Sequence, residues 1–230
     1  MHIPDGYLSP ATCAVMGAAM VPVLATATKK VNSTFDKKDI PTMAIGSAFA
    51  FTVMMFNVPI PGGTTAHAVG ATLLAIALGP WGASISLTIT LLIQSLFFGD
   101  GGILALGANS FNMAFLAPFA GYGVYVLLQK LNVGKVISSA VGAYIGINAA
   151  ALATAIELGL QPVLFHAADG RALYFPYGLS QSIPAIMIAH LTVAGLVEAV
   201  MTGLVVYYLM RAGEGNILYK FSYRLRGESK

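Results

Sequence analysis

Seven apolar runs divide the chain, and polar or turn-forming segments separate them. The runs cover residues 8–28, 40–58, 66–79, 82–98, 110–129, 133–158 and 182–211. A helix rises about 1.5 Å per residue and the hydrocarbon core of a bilayer is about 30 Å thick, so roughly 20 apolar residues make one span. The third run is shorter than this, and turns rich in Pro and Gly flank it at 59–63 and 79–82. The pattern predicts seven helices, one of them short.

Composition agrees with a membrane environment. The 230-residue chain is 57% hydrophobic and only 9% charged, which is unlike ordinary soluble domains. We predict an all-α polytopic membrane protein with about seven transmembrane helices, folded as a single integral membrane domain over residues 1–230. Its parts are an N-terminal loop at 1–10, membrane helices from about 8 to 211, and a basic cytoplasmic tail from about 212 to 230. The basic residues are too scattered to indicate nucleic-acid binding.

The positions of Lys and Arg predict the orientation. Cytoplasmic segments collect positive charge. If the N-terminus lies outside, the inside segments are 29–40, 79–82, 130–135 and the residues after 211, and these hold eleven of the twelve Lys and Arg residues. Only Arg171 is left outside. The N-terminus is therefore predicted outside and the C-terminus in the cytoplasm. A signal peptide cleaved after Ala27 is disfavoured, because no Lys or Arg precedes residue 29.

The chain begins Met1-His2, and the nitrogen atoms of this pair can chelate one metal ion. The α-amine and the His2 amide close a five-membered ring with the metal, and that amide and the imidazole Nδ1 close a six-membered ring. Displacing the amide proton requires a metal that favours a square plane of strong nitrogen donors, as Ni(II) and Cu(II) do. The single cysteine, Cys13, excludes a thiolate cluster. Taken alone, a histidine at a chain end is more often simply solvated.

His67 is the best candidate for the fourth corner of that plane. It ends the flexible segment GGTTAH (62–67), on the side of the membrane where the N-terminus is predicted. Pro4 and Pro10 discourage a helix over the first residues and let this leading segment fold inward. Retention of Met1 is expected, because methionine aminopeptidases prefer a small second residue and His2 is bulky.

The first ten residues, MHIPDGYLSP, resemble the N-terminal signature of the NikM/CbiM family, the substrate-binding (S) components of energy-coupling-factor (ECF) transporters for nickel and cobalt. Further segments resemble family motifs in the same order: GGTTAH (62–67), LGPW (78–81), FGDGG (98–102) and LGANSFNMA (106–114). These motifs span about the first half of the chain. The resemblance implies a metal bound by the Met1 amine, by the amide and imidazole of His2, and by His67.

The resemblance also implies partners. In such transporters a membrane T-component and cytoplasmic ABC-type ATPase subunits supply the energy, with or without an additional small membrane subunit. This chain has no G-x-x-x-x-G-K-[ST] nucleotide loop, so ATP hydrolysis is expected on other subunits. The chain itself is expected to be non-enzymatic, without a catalytic cofactor. Ala44 and Ala48 are small residues one helical turn apart on the second span, and they are expected to contact the T-component.

Several neutral polar residues are candidates to orient the metal ligands or the N-terminal loop through hydrogen bonds. They are Gln94, Asn109, Ser110 and Asn112. Helix capping is the alternative role for the three residues near the start of the fifth span.

Four ionisable residues have simpler expected roles. Asp5 is expected to bind backbone amides of its own Pro-Gly turn, and Asp100 to form a turn, with attraction of cations as its alternative role. His190 and Glu198 lie eight residues apart on the last span, so they share a helical face and are expected to form a packing pair.

The expected function is capture of Ni(II), with Co(II) as the next substrate, at the outer face of a prokaryotic cell membrane for ATP-driven uptake. One alternative is a passive metal channel or secondary transporter, which requires polar residues along several spans or internal repeats. Another is an intramembrane metalloenzyme, for which the H-E-x-x-H spacing is missing. The sequence leaves open the choice of nickel or cobalt and which nitrogen of His67 binds.

Overall fold

A computed structural model describes residues 1–60 and 64–218, and helices dominate it. The helices are α1 (Pro10–Thr34), α2 (Ile40–Met54), α3 (Ala71–Ile93), α4 (Leu106–Ser110), α5 (Ala117–Lys130), α6 (Lys135–Gly159), α7 (Gln161–Leu164), α8 (Leu179–Ala189) and α9 (Gly195–Arg211). Three π-helical turns extend or join them, at Gln94–Phe98, Phe111–Leu116 and His190–Ala194, and 3-10 turns occupy Lys37–Asp39 and Gly215–Leu218. Strands β1 (Val58–Ile60) and β2 (Thr64–Ala66) pair antiparallel, with Val58 opposite Ala66.

Five helical stretches of the described chain are long and apolar enough to cross a membrane. They are Pro10–Thr34, Ala71–Phe98, Leu106–Lys130, Lys135–Leu164 and Leu179–Arg211. The prediction of a helical, multi-pass membrane protein is therefore confirmed. Helix α2 is also apolar, but its 15 residues are fewer than a full span needs. The count of seven crossings and the orientation of the two ends stay predictions, and most of the basic tail lies outside the described residues.

The third and fourth apolar runs form one helical stretch that is broken at Gly79. This residue has φ 73° and ψ 157°, which are not helical angles. Helix α2 touches both arms: Gly46 packs against Leu74 before the break, and the Ser47 hydroxyl donates to the Ser86 carbonyl after it. The chain therefore reverses at Gly79. The two arms run antiparallel, so the start of the first arm and the end of the second lie at the same end of the bundle.

Segments that were predicted on the same side of the membrane lie together in the structure. At one end, Lys30 and Phe35 at the close of α1 line a small cavity with Gly79 and Gly82. At the other end, the N-terminal residues contact the loop that precedes α8, where the Phe175 amide donates to the Tyr7 carbonyl at 3.1 Å. Each of these groups of segments therefore lies at one end of the bundle, and which end faces the cytoplasm stays a prediction.

Small residues bring the central helices into close contact. A Cβ added to Gly142 of α6 would lie only 2.6 Å from the Gly121 carbonyl oxygen of α5. Small residues at such positions let membrane helices approach backbone to backbone. Helices α3, α5 and α6 therefore form a tightly packed centre, and the N-terminal segment docks at one end of it.

Candidate metal site

Hydrogen bonds to both backbone groups of Ile3 hold the N-terminal segment in place. The Ile3 amide donates to Asn109 Oδ1 at 2.8 Å, and the Ile3 carbonyl accepts from Asn109 Nδ2 at 3.1 Å and from the Gly102 amide at 2.9 Å. The Ile3 side chain is fully buried. Residues 1 and 2 are thus fixed from their C-terminal side by a side chain at the end of α4.

Two further contacts anchor the same segment. The Asp5 carboxylate accepts from the amides of Ile103, Leu104 and Ala105 at 2.9–3.3 Å. Asp5 therefore binds the turn before α4, whereas the sequence predicted that it would bind amides of its own turn. Ser9 then caps α1, because its hydroxyl accepts from the Thr12 amide at 3.0 Å.

The Met1 amine is buried at the base of this segment. It donates to the Thr65 carbonyl of β2 and lies 3.5 Å from the Thr65 hydroxyl. Burial lowers the pKa of the Met1 amine from 8.0 to about 4, against the opposing effect of the Asp100 charge. A neutral amine keeps a lone pair beside the hydrogens that it donates. The Met1 nitrogen is therefore a competent metal donor at neutral pH.

The imidazoles of His2 and His67 lie face to face beside the amine. Their ring centroids are 4.6 Å apart with an interplanar angle of 24°, and both residues are almost fully buried. Nε2 of His2 lies 3.2 Å from Gln94 Oε1, and Nδ1 of His67 lies 3.0 Å from the Ala68 carbonyl oxygen. Both oxygens only accept, so these two ring nitrogens carry the protons. The lone pairs are left on Nδ1 of His2 and Nε2 of His67.

Both rings are neutral at physiological pH. Burial, followed by the nearby N-terminal amine, lowers the pKa of His2 from 6.5 to about 4, although Asp100 and Gln94 oppose the shift. Burial, the amine and His2 hold the pKa of His67 well below 6.5. Metal ligands must be deprotonated to bind. The amine and the two rings meet that requirement before any metal arrives.

Asp100 lies beside this group and is partly exposed to solvent. Its Oδ1 is 3.3 Å from Nδ1 of His2, and its Oδ2 accepts from Asn57 Nδ2 at 3.3 Å. The side chain is 19% exposed, against 4% for His2. With neutral His2, two electron-rich atoms face each other across this gap. A cation held near Nδ1 relieves their repulsion, so the placement favours the alternative role that the sequence left for Asp100.

The remaining polar candidates divide into two groups. Gln94 touches His2, and Asn109 holds Ile3. Asn112 is directed elsewhere, because its amide donates to Thr154 and Glu157 of α6. Ser110 is buried, and its hydroxyl has no partner among residues 1–60 and 64–218.

Sequence reasoning missed several contacts around the site. Thr64 donates to the His2 carbonyl at 3.1 Å, and Thr65 accepts from Met1. Both belong to the segment GGTTAH, in which the sequence predicted only His67 as a site residue. Glu198 was assigned to a packing pair with His190, but its carboxylate accepts from the amides of Val69 and Gly70.

The donor set explains why side chains alone do not reveal the site. Across the described residues, no group of three or more His, Cys, Asp or Glu side chains is placed to hold a metal ion. The candidate site contains two imidazoles, and its other candidate donors are a terminal amine and a backbone amide.

Residues 2–214 match the CbiM family, described as the cobalt uptake substrate-specific transmembrane region. The chain belongs to this family. Among relatives of this CbiM-family chain, a probable fused nickel transport protein, LarMN, of Lactiplantibacillus plantarum is 56% identical over 94% of this chain and 66% of its own length. A putative metal transport protein of Methanocaldococcus jannaschii is 48% identical over 92% of both chains.

A solved structure agrees with the fold of this CbiM-family chain. A protein described as a transition metal transporter superposes with a TM-score of 0.92 and is 77% identical, covering 98% of this chain and all of its own. The fused nickel transport proteins are longer, and this chain spans 66% of the one from L. plantarum and 62% of the NikMN protein of Rhodobacter capsulatus.

Proposed function

We propose that this chain is the substrate-specific subunit of an importer for Ni(II), with Co(II) as the alternative substrate. The ion binds at the outer end of the bundle through the Met1 amine, the amide and Nδ1 of His2, and Nε2 of His67. One observation carries the proposal: among residues 1–60 and 64–218, Nδ1 of His2 and Nε2 of His67 are the ring nitrogens of the stacked pair without a hydrogen-bond partner. The first is the nitrogen that the terminal chelate requires.

A square plane follows from the order of the donors. The His2 amide is the middle donor of the chelate, so the corner left open lies opposite this amide. His67 and the His2 imidazole are then neighbours in the plane, where metal–nitrogen bonds near 2 Å place adjacent donors about 3 Å apart. The two rings lie side by side, with centroids 4.6 Å apart, as neighbouring corners require. The amide loses its proton when the metal binds and becomes a strong anionic donor.

The donor set favours nickel. Four nitrogens in a plane, one of them a deprotonated amide, suit Ni(II), while carboxylate, carbonyl and water ligands suit Mg, Ca and Mn. Relatives carry names that specify nickel transport, and others are named cobalt transport proteins. Nickel and cobalt both bind imidazole, so these names do not distinguish the two ions. The planar arrangement of donors gives the preference for nickel.

Energy for uptake comes from partners: a membrane T-component and cytoplasmic ATPases, with or without a further small membrane subunit. The chain lacks a nucleotide loop of its own. Ala44 and Ala48 are exposed on α2 and line an apolar groove of about 760 Å³ with Phe51 and Ile89. This groove supports the proposal that α2 contacts the T-component. The chain has seven crossings, counting α2 and both arms of α3, with its N-terminus outside.

Acetylation of the Met1 amine tests the terminal chelate directly. We expect at least a hundredfold loss of nickel affinity, because an amide nitrogen replaces the amine donor and the buried contact with Thr65 is disrupted. Titration of the purified full-length chain with NiSO₄, followed by the absorption of a planar four-nitrogen nickel complex, measures the change. Undiminished affinity with the same spectrum would refute the terminal chelate.

His67→Ala is the companion variant, and it distinguishes the fourth donor from the first three. Loss of His67 should leave the Met1-His2 chelate in place, so nickel still binds but with three protein nitrogens and a water molecule. The absorption band should move to lower energy as the ligand field weakens. A four-nitrogen spectrum identical to that of the unaltered chain would exclude His67.

A further inference from the structure

Glu198 is a buried carboxylate on α9 whose contacts reach the segment that follows His67. It is 1% exposed. Its Oε2 accepts from the Val69 amide at 2.7 Å, and Oε1 and Oε2 accept from the Gly70 amide at 2.9 and 3.0 Å. Ionisable groups inside membrane-spanning segments are costly, and they usually mark a function.

The amides that Glu198 binds lie at the start of α3. Gly70 is the N-cap of this helix, with φ 75°. Glycine has no side-chain oxygen that could cap the helix. Amides at a helix N-terminus have no partner within the helix, and they attract negative charge. Glu198 supplies that charge from a helix more than a hundred residues further along the chain. It therefore ties α9 to the first turn of α3.

The same backbone determines where the His67 ring points. Nδ1 of His67 bonds the carbonyl of the adjacent Ala68, so the ring follows the local chain direction. Ala68 joins His67 to the two residues that Glu198 holds. On the other side of His67, the strand pair β1–β2 fixes the chain as far as Ala66. The five residues from Ala66 to Gly70 are thus anchored at both ends.

We infer that Glu198 is a positioning residue of the metal site, which holds the loop 67–70 so that Nε2 of His67 faces the Met1-His2 chelate. This inference rests on the proposed function and extends it to α9. Movement of α9 relative to α3 breaks the amide contacts and withdraws the fourth donor. A partner that displaces α9 thereby weakens metal binding without touching any ligand.

Glu198→Gln tests the inference, because the amide group keeps the shape but presents hydrogen-bond donors to the Val69 and Gly70 amides. With NiSO₄ added to the purified full chain, we expect the spectrum of the variant to resemble that of His67→Ala, with affinity lowered about 10–100-fold. Glu157→Gln is the matched control. It makes the same change in a carboxylate that bonds Asn112, and it should leave the four-nitrogen spectrum intact.

A double variant separates positioning from general destabilisation. If Glu198 acts through His67, then Glu198→Gln added to His67→Ala should lower nickel affinity no further. A further loss in the double variant, or an unchanged spectrum in Glu198→Gln alone, would overturn the inference. Absence of a four-nitrogen spectrum in the unaltered chain would instead contradict the proposed function.

Glu198→Asp keeps the test decisive should the glutamine variant fail to fold. The shorter carboxylate retains its charge but reaches the amides less well. We expect the four-nitrogen spectrum to persist and nickel to dissociate several-fold faster, as measured by transfer to excess chelator. Dissociation at the rate of the unaltered chain would contradict the role given to Glu198.

Discussion

At the scale of single residues, the readiness of the site depends on which nitrogens carry protons. Gln94 and the Ala68 carbonyl each engage one ring nitrogen, and burial keeps the Met1 amine neutral. The remaining lone pairs lie on the Met1 amine, Nδ1 of His2 and Nε2 of His67, which are the atoms that the proposed square plane requires. Little reorganisation is then needed when a metal ion arrives.

This protonation state predicts how many protons nickel displaces. The pKa of the amine and that of His2 are both lowered to about 4, and the pKa of His67 is also lowered. All three groups are therefore neutral above pH 6, and only the His2 amide proton is lost on binding. We expect release of about one proton per nickel ion at pH 7, and affinity that rises about tenfold per pH unit from pH 6 to 8. Calorimetry in buffers of different ionisation enthalpy measures this number.

An exposed terminus would behave differently. With its amine pKa at the ordinary 8.0, the amine would still carry its proton at pH 7, and nickel would displace about two protons in all. A measured release near two would therefore contradict the docked, neutral amine.

Asp100 is expected to strengthen binding through its charge. A nickel ion bound to one deprotonated amide keeps one net positive charge, and the Asp100 carboxylate lies 3.3 Å from Nδ1 of His2. Asp100→Asn preserves the side-chain shape and removes this compensation. We expect nickel affinity to fall about tenfold, or ~1.4 kcal/mol, with the four-nitrogen spectrum retained. The same nickel titration measures both.

Asp169→Asn provides the control for a change in overall charge. Asp169 lies in an exposed loop, where it accepts from the Arg171 amide at 3.0 Å. This variant should bind nickel normally. An equal loss in both variants would show that overall charge, rather than the contact with His2, is responsible.

At the scale of elements, the broken α3 stretch determines how the site is assembled. Because the chain reverses at Gly79, the two ends of the α3 stretch lie near each other. His67, which precedes the stretch, and Gln94, at the other end of the stretch, therefore both contact His2. Within the part of the chain that the structure describes, two of the three π-helical turns begin at polar residues, Gln94 and His190. Such turns often occur at functional sites.

The sequence predicted the parts of this arrangement that depend on residue type and order. Apolar runs and turns located the helices and the reversal near residue 79. Met1, His2 and His67 were predicted as metal donors because their chemistry and predicted side of the membrane agree, and this role stays a proposal. The structure brings these three residues together.

The remaining contacts depend on distances between remote parts of the chain, which a pattern does not encode. Gln94 meets His2 across 92 residues, and Glu198 meets Val69 across 129. Asp5 likewise reaches the amides before α4, although local turn chemistry predicted a nearer partner. Each of these contacts satisfies buried backbone or ring groups, and only the packed fold shows which groups are buried.

At the scale of the whole molecule, the site lies at one end of a bundle whose outer surface is apolar. Exposed side chains such as Val15, Ile45 and Leu204 face outward, as expected for contact with lipid or a membrane partner. The candidate donors are almost fully buried, including those that the N-terminal segment supplies. This arrangement suits capture and retention of one ion better than continuous flow.

Uptake assays test this interpretation. In liposomes, the chain alone should bind nickel but accumulate none inside, because it has no nucleotide loop and its site is enclosed. Addition of the T-component, the ATPases and ATP should produce uptake, measured with a fluorescent metal indicator in the lumen. Uptake by the chain alone down a concentration gradient would favour the passive channel instead.

The position of Asp100 beside His2 also has an electrical consequence. Moving one elementary charge through the membrane potential involves about 2.3 kcal/mol per 100 mV. A divalent ion would be strongly sensitive to this field, but the deprotonated His2 amide and the Asp100 carboxylate together carry two negative charges. The loaded site is then electrically neutral, so moving the ion together with these two groups through the membrane would transfer no net charge across the field. Membrane voltage should therefore neither assist nor oppose movement of the loaded site.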